Sequence, residues 1–305
     1  MTALLAETRA AWPKLPLPHG LGKNLVTAHA LARSAIFSTQ VYRGPVERPE
    51  YREMTALATS KSSEIQVFQT AGHRLDQGDA DVFYELLRRV FAPGEKMDRE
   101  AHICFNRNEL LKVLGRTRGG RTDRLLDESL DRLFRADFYF SVPDVFVGKS
   151  RLILKMLQHS SDRAMDFDYD VLIDVELARL FVTNQWTLLK QSERAKLAGN
   201  PLARGLHTYY ASLPNSAFGT KTSTLKSMMG RESMHEGKWR RSLEDALKAV
   251  KEATGWDTCE LRTAPGGERK VFVIKNNELA AKLKKPKARP AVPSPAQDID
   301  DGDDI

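Results

Sequence analysis

Cysteine is nearly absent from this chain of 305 residues: Cys104 and Cys259 stand far apart, and neither belongs to a Cys-x-x-Cys pair. That excludes a disulfide framework and a zinc ribbon, and both residues read as buried free thiols. No stretch approaches the roughly 18 to 20 consecutive apolar residues of a membrane span. Where a signal peptide would carry its apolar segment, the first 20 residues hold Glu7, Arg9, Lys14 and three prolines. The expected location is cytoplasmic, with no membrane partner. The seven histidines, His19, His29, His73, His102, His159, His207 and His235, are too scattered for a metal centre. The one ligand-like pair, in His102-Ile103-Cys104, reads as packing on a strand. Gly148-Lys149-Ser150 resembles the end of a phosphate loop, yet Pro143 takes the place of the first glycine and a strand follows where a helix is required. No Ser-His-Asp or paired-carboxylate arrangement stands out, so neither catalysis nor a cofactor is expected.

The 41% of hydrophobic residues suffices for about two domains, and 29% charged residues with a net charge of +7 hint at a polyanionic partner. The first 35 or so residues, including Trp12-Pro13 and Pro16-Leu17-Pro18, lack periodicity and read as an extended arm. The pattern tightens from Glu64, with a hairpin around Ala71-Gly72 and then a helix capped by Asp79 or Asp81. The strand-like run Ala101 to Phe105 ends at Asn106, which with Glu109 makes a capping box. The helix that follows stops at Gly115. A second helix carries Leu126, Leu130 and Leu133, and Phe138 to Val142 reads as a strand. Weaker strands run from Leu152 to Leu154 and from Met165 to Val171, followed by helical segments near Glu176 to Leu180 and Pro201 to Leu213. Then Thr224 to Gly230, Gly237 to Gly255 and a hairpin around Pro265-Gly266-Gly267 repeat the helix, turn, helix, hairpin outline. Beyond Asn277, five cations between Lys282 and Arg289 and five acids between Asp298 and Asp304 flank three prolines, the composition of a disordered tail.

The two outlines superpose. A shift of 115 puts Leu110, Leu114, Gly115 and Arg116 on Leu225, Met229, Gly230 and Arg231; a shift of 117 then puts Leu126, Leu130 and Leu133 on Leu243, Leu247 and Val250. Under it Arg121 meets Lys238 and Arg124 meets Arg241. At about 100° per residue the three leucines share a stripe of about 60°, and the two arginines point roughly 150° away. Arg107 to Arg124 and Lys221 to Lys251 each carry a net +4. A helix entering a major groove N-terminus first needs such cations. Base or phosphate contact is therefore expected of Arg121, Arg124, Lys238, Arg240, Arg241 and Lys248, and phosphate positioning of Arg116, Arg118, Lys221, Lys226 and Arg231. Two hairpins could serve as wings on the phosphate backbone: Val145 to Leu152 with Lys149 and Arg151, and Glu260 to Val271 with Arg262, Arg269 and Lys270. Trp239 reads as a packing anchor, and Tyr209-Tyr210, at helical spacing with Leu206 and Leu213, as core aromatics.

The block Ala32 to Thr39, the run Phe105 to Leu133 with its Glu-Leu-x-x-x-Leu-Gly core, and Leu225-x-x-Met228-Met229-Gly230-x-x-Ser233 followed by Lys238-Trp239-Arg240 resemble the TrfA family of plasmid replication initiators, in the same order from Trp12 to Ile274. The outlines read along the chain, together with the resemblance, give the expectation of an α+β fold of two tandem winged-helix domains: an N-terminal arm and lead-in over 1–62, domains over 63–172 and 173–277, and a basic/acidic tail over 278–305. The resemblance also implies binding to the directly repeated origin sequences called iterons, melting of adjacent duplex, recruitment of the host initiator and replicative helicase, and a monomer–dimer equilibrium that restrains copy number. Family members can carry a clamp-binding motif of the type Gln-Leu-x-Leu-Phe before the Trp-Pro segment. Leu4-Leu5-Ala6-Glu7 does not match it. The alternatives are a nicking initiator using Tyr209 or Tyr210, and a winged-helix transcriptional repressor.

Overall fold

The computed structural model describes residues 18, 21–42, 47–60, 64–91, 101–159, 167–215, 218–264 and 266–275. The expected tail, the Trp12-Pro13 segment and the clamp-motif position lie outside them. In chain order the elements are β1 (Leu25–Ala28), α1 (His29–Ala32), β2 (Phe37–Ser38), β3 (Glu50–Tyr51), β4 (Thr55–Leu57), β5 (Gln66–His73), β6 (Leu75–Asp76), α2 (Gln77–Val90), β7 (Ala101–Phe105), α3 (Arg107–Val113) and α4 (Gly120–Arg135). Then come β8 (Asp137–Val142), β9 (Phe146–Arg151), β10 (Ile153–Gln158), β11 (Tyr169–Ile173), a 3-10 segment (Val175–Asn184), β12 (Trp186–Leu189), α5 (Gln191–Lys196), α6 (Pro201–Ala211), β13 (Thr220–Lys221), α7 (Thr222–Met228), α8 (Glu236–Thr254), β14 (Thr258–Thr263) and β15 (Arg269–Ile274). The fold is mixed α and β with several small sheets.

The apolar interior falls into two clusters. One runs from Leu21 to Leu189 and the other from Leu197 to Val273, with Ala211 packed against both. Residues 25–38 are not an extended arm, nor does the fold begin at Glu64. Every residue of β1 is buried, and β1 pairs antiparallel with β12, Leu25 opposite Leu189. A strand covered on all sides has no reason to alternate, so its sequence shows no period. The hairpin expected at Ala71-Gly72 is instead a single strand, β5, with a bulge between Gln69 and Ala71. Buried Gln69 holds the bulge by donating its amide to the carbonyls of Ala71 and His73, at 3.1 and 3.0 Å. Gly72, at φ +85°, leaves room for α4: a Cβ there would lie 2.6 Å from the carbonyl oxygen of Arg135.

Helix α2 starts one turn earlier than expected. Its cap is Asp76, which accepts from the Gly78 and Asp79 amides at 2.7 and 3.2 Å, while the Asp79 carboxylate receives the Asp76 amide at 3.0 Å. Glu109, expected to close a capping box on α3, instead receives Arg89 at 3.0 Å. Three buried carboxylates, Asp79, Asp81 and Glu85, line α2. Asp79 accepts from Ser129 (2.5 Å) and Arg132 (2.8 Å) on α4. Asp81 accepts from Arg194 (2.5 Å) on α5 and from Arg204 on α6. Glu85 takes Arg88 and Arg89 of its own helix, at 2.6 and 2.9 Å. Helix α2 is thus tied by charge to helices of both apolar clusters.

The two halves share one order of elements. In the second, α6 leads to β13, α7, α8 and the hairpin β14–β15, with β15 pairing both β14 and β13. In the first, α2 leads to β7, α3, α4 and the hairpin β10–β11, with β11 pairing both β10 and β7. Between α4 and β10 the first half inserts the hairpin β8–β9, and β8 joins β5 in a different sheet. The expected first wing, Val145 to Leu152, is therefore misassigned: Lys149 and Arg151 lie within β9, and its turn is at Pro143-Asp144. The hairpin that matches the second half is β10–β11, whose tip (160–166) lies outside the described residues. The apolar stretch Phe138 to Val142 reads equally well as either hairpin, and only strand pairing separates them.

Cys259 is buried, but Cys104 is exposed on β7. Burial pushes the Cys259 thiol up to about 12. At pH 8 one thiol per chain should react with a disulfide reagent in native protein and two in denaturant; two fast-reacting native thiols would contradict the packing of β14. A second prediction concerns Asp79. Replacing Arg132 with Met leaves a buried carboxylate short of its main counter-ion and should lower stability to urea by about 3 kcal/mol. The double variant Asp79→Asn, Arg132→Met should recover part of that loss.

Candidate nucleic-acid interface

The repeat in the sequence is a repeat in backbone geometry. At the end of α3 the Gly115 amide donates to Lys112 (3.1 Å) and the Arg116 amide to Leu111 (2.8 Å); at the end of α7 the Gly230 amide donates to Ser227 (2.9 Å) and the Arg231 amide to Lys226 (2.9 Å). Both glycines take positive φ, +67° and +65°. This is the Schellman arrangement, and it needs glycine because the left-handed backbone crowds any Cβ. Each turn then starts a longer helix. On α4 the stripe Leu126, Leu130, Leu133 is fully buried, as is Leu243, Leu247, Val250 on α8. Trp239 is buried with them.

The opposite faces carry the cations. Arg121 on α4 and Lys238, Arg241 and Lys248 on α8 are exposed, and among the described residues no acid lies within ion-pair distance of them. Arg118, in the turn before α4, is exposed in the same way. Arg240 is half-buried, its Nε without a hydrogen-bond partner among the described residues. Arg124 is exposed but has Glu128 one turn on, at 3.5 Å. The start of α4 also borders a cleft of about 870 Å³, where Arg116, Arg121 and Arg124 share the lining with the acids Asp76, Glu128 and Asp131.

Other expected contacts sit differently. Lys226 pairs with Glu236 at 3.1 Å, and Lys221 with Glu268 at 2.7 Å. Lys270 lies 3.7 Å from the same Glu268, whose carboxyl the Lys221 hydrogen bond holds below its ordinary value. Arg262 pairs with Glu260 and rests over the Phe272 ring at 5.4 Å. Only Arg269 on that hairpin is exposed without an acid partner among the described residues. Arg151 pairs with Asp137, and Lys149 is exposed on β9, in the other sheet. The repeat-matched pair Arg116 and Arg231 turns inward: Arg116 donates to the Gly78 carbonyl at 3.2 Å, and Arg231 donates to Oγ1 of Thr39 at 2.9 Å and to its carbonyl. Burial lowers the Arg231 guanidinium from its ordinary value.

Sequence reasoning missed the partners Thr39 and Gly78, which lie in a segment without periodicity and at a helix start. The one available signal was the recurrence of Arg116 as Arg231 at the repeated turn.

Among the described residues no three His, Cys, Asp or Glu side chains group as a metal site, and no helix is long and apolar enough to cross a membrane. Tyr209 and Tyr210 are buried, and burial pushes the Tyr210 hydroxyl up.

Two basic helices, each reached through the same glycine turn, define a protein that presents two matched cationic faces from one chain. Comparison with known proteins gives the family. The sequence profile described as TrfA protein matches residues 20–259. The chain belongs to the TrfA family and is a replication initiator. Among solved structures it is similar to RctB domains 2–3 (RctB-155-483), with 14% identity, a TM-score of 0.48, and coverage of 78% of this chain and 96% of that one. It is also similar to a structure of selenomethionine derivatives of domain 2 and domain 3 of RctB, with 13% identity, a TM-score of 0.49, and coverage of 82% and 98%. Comparison with curated protein sequences finds no match.

Proposed function

We propose that the initiator acts as a tandem winged-helix protein that reads direct repeats of double-stranded DNA at a plasmid origin. The observation that carries this reading is the matched exposure of Arg121 and Arg124 on α4 and of Lys238 and Arg241 on α8, each set opposite a buried apolar stripe. The order strand, helix, glycine turn, helix, hairpin in both halves is that of a winged helix. In such a unit the second helix enters the major groove N-terminus first, and the cations of its opening turns reach guanine edges or phosphates. Two units in one chain would then occupy successive grooves, roughly 34 Å apart.

Local deformation of the bound duplex is the step that leads to melting, because a bend or untwist imposed by two docked units lowers the cost of opening an adjacent AT-rich segment. The host initiator and replicative helicase are the expected partners once the strands part, and a monomer–dimer equilibrium sets how many binding-competent chains are available. The protein works in the cytoplasm without catalysing a reaction. The burial of Tyr209 and Tyr210 supports this over nicking, since a nucleophilic tyrosine must reach a phosphodiester.

Changing Lys238 and Arg241 together to Ala should cut specific origin binding by about 2 to 6 kcal/mol, at about 1 to 3 kcal/mol per base contact. Quantitative footprinting measures it, and an unchanged footprint would refute the role of α8. Bound wild-type protein should also make thymines beside the repeats reactive to permanganate. Protection of the repeats without that reactivity would favour a repressor.

A further inference from the structure

The two inward-turned arginines converge on one place. Arg116 reaches Gly78 in the first turn of α2, and Arg231 reaches Thr39, one residue beyond β2. Strand β2 pairs in parallel with β6, Phe37 with Leu75 and Ser38 with Asp76, and Asp76 caps α2. The turns that precede the two DNA-facing helices are therefore both docked on a single junction.

Thr39 is fully buried, and its hydrogen-bonding groups are engaged by the second turn. Its amide donates to the Met229 carbonyl at 2.9 Å, its hydroxyl donates to the same carbonyl at 2.8 Å, and both of its oxygens accept from Arg231. The fit leaves no slack. A Cβ on Gly230 would stand 2.5 Å from Oγ of Ser38, and a Cβ on Gly205 of α6 would stand 2.5 Å from Cγ2 of Thr39. Gln77, at the start of α2, holds the same strand through the Phe37 carbonyl at 2.9 Å. From the junction a charged path continues to α4: Arg48 bridges Asp76 and Asp79, and Asp79 takes Ser129 and Arg132.

A residue at the second position of such a turn could serve DNA in two ways. Pointing outward it would hold a phosphate, as Arg116 and Arg231 were expected to do. Pointing inward it is spent on carbonyl oxygens and contributes position instead. We infer that Thr39 and Arg231, with Arg116 as the matching strut, are positioning residues that set the separation and rotation between α4 and α8, and so determine the half-site spacing the protein accepts. This rests on the tandem reading of DNA proposed above. The physical reason is geometric. One inserted base pair moves one half-site about 3.4 Å along and about 34° around the duplex. A rigid pair of helices meets that error with lost contacts or distorted DNA, whereas a loosened pair follows it.

The test uses the full chain and the repeat that it protects at its own origin, with zero, one or two base pairs inserted between the protected halves, and each half alone. Thr39→Val keeps the shape but removes the hydroxyl, Arg231→Met keeps the length but removes the donors, and Thr39→Ser retains the hydroxyl. Wild type and Thr39→Ser should lose at least about tenfold in affinity on one insertion, and Thr39→Val and Arg231→Met less than about threefold. Affinity for a single half, and its salt dependence, should be the same in all four.

Thr39→Val or Arg231→Met binding the single half like wild type yet still discriminating spacing like wild type overturns the inference. So does a drop of about 1 in the salt slope on the single half for Arg231→Met, because it makes Arg231 a phosphate contact. A variant too unstable to bind the single half overturns it as well, since the contact is then needed for folding itself. Wild type that protects only one half, or that ignores spacing, overturns the tandem reading, a result recognisable without any variant.

Discussion

The structure depends on keeping three carboxylates of α2 away from water. A buried carboxylate survives only with charge and hydrogen bonds around it, and each of the three recruits arginine. Asp79 takes Arg132 from α4, Asp81 takes Arg194 and Arg204 from α5 and α6, and Glu85 takes two arginines of its own helix. Hydrophobic contact alone would hold these helices together in any of several close registers, since apolar packing is not directional. Bidentate pairing of guanidinium with a buried acid admits far fewer. Helix α2 is thereby both the first helix of one repeat and the base against which the second repeat is oriented.

That arrangement explains how the cations divide. Arginines are numerous along the whole chain, and those facing α2 and its preceding strand are consumed in internal pairs or on carbonyls. On α4 and α8 the cations left with exposed charge, Arg121, Lys238, Arg241 and Lys248, lie opposite the buried stripes. A net charge of +7 therefore says little by itself about where exposed charge gathers on the surface. The hairpin β14–β15 shows the same sorting in miniature: Glu268 occupies Lys221 and Lys270, and Arg269 remains exposed beside them.

Much of the candidate site was legible in the sequence. The recurring Leu-x-x-x-Leu stripes, the glycines at 115 and 230 and the cations at matched positions are consequences of local geometry: a helical period and a left-handed turn are written in residues a few places apart. The repeated hairpins were only half legible. Both β8–β9 and β10–β11 follow α4 with strand-like composition, and which hairpin completes the repeat is settled by the pairing of β11 with β7, more than 60 residues away. The N-terminal strand was hidden for a related reason, because a strand buried on every side carries no alternation to detect.

The sequence by itself determined the two helix–turn–helix outlines, their order, the buried faces of α4 and α8 and the family resemblance that the comparisons bear out. The outlines and the buried faces depend on spacing within about twenty residues, the range over which backbone periodicity acts, and their order and the resemblance need only the linear sequence. Only the tertiary structure decided which basic side chains remain exposed, that Arg116 and Arg231 turn inward, and that Thr39 and Asp81 join the two halves. Charge burial and hydrogen-bond satisfaction are here properties of groups brought together across 38 to 190 residues of chain, and no local pattern encodes which donor will meet which acceptor.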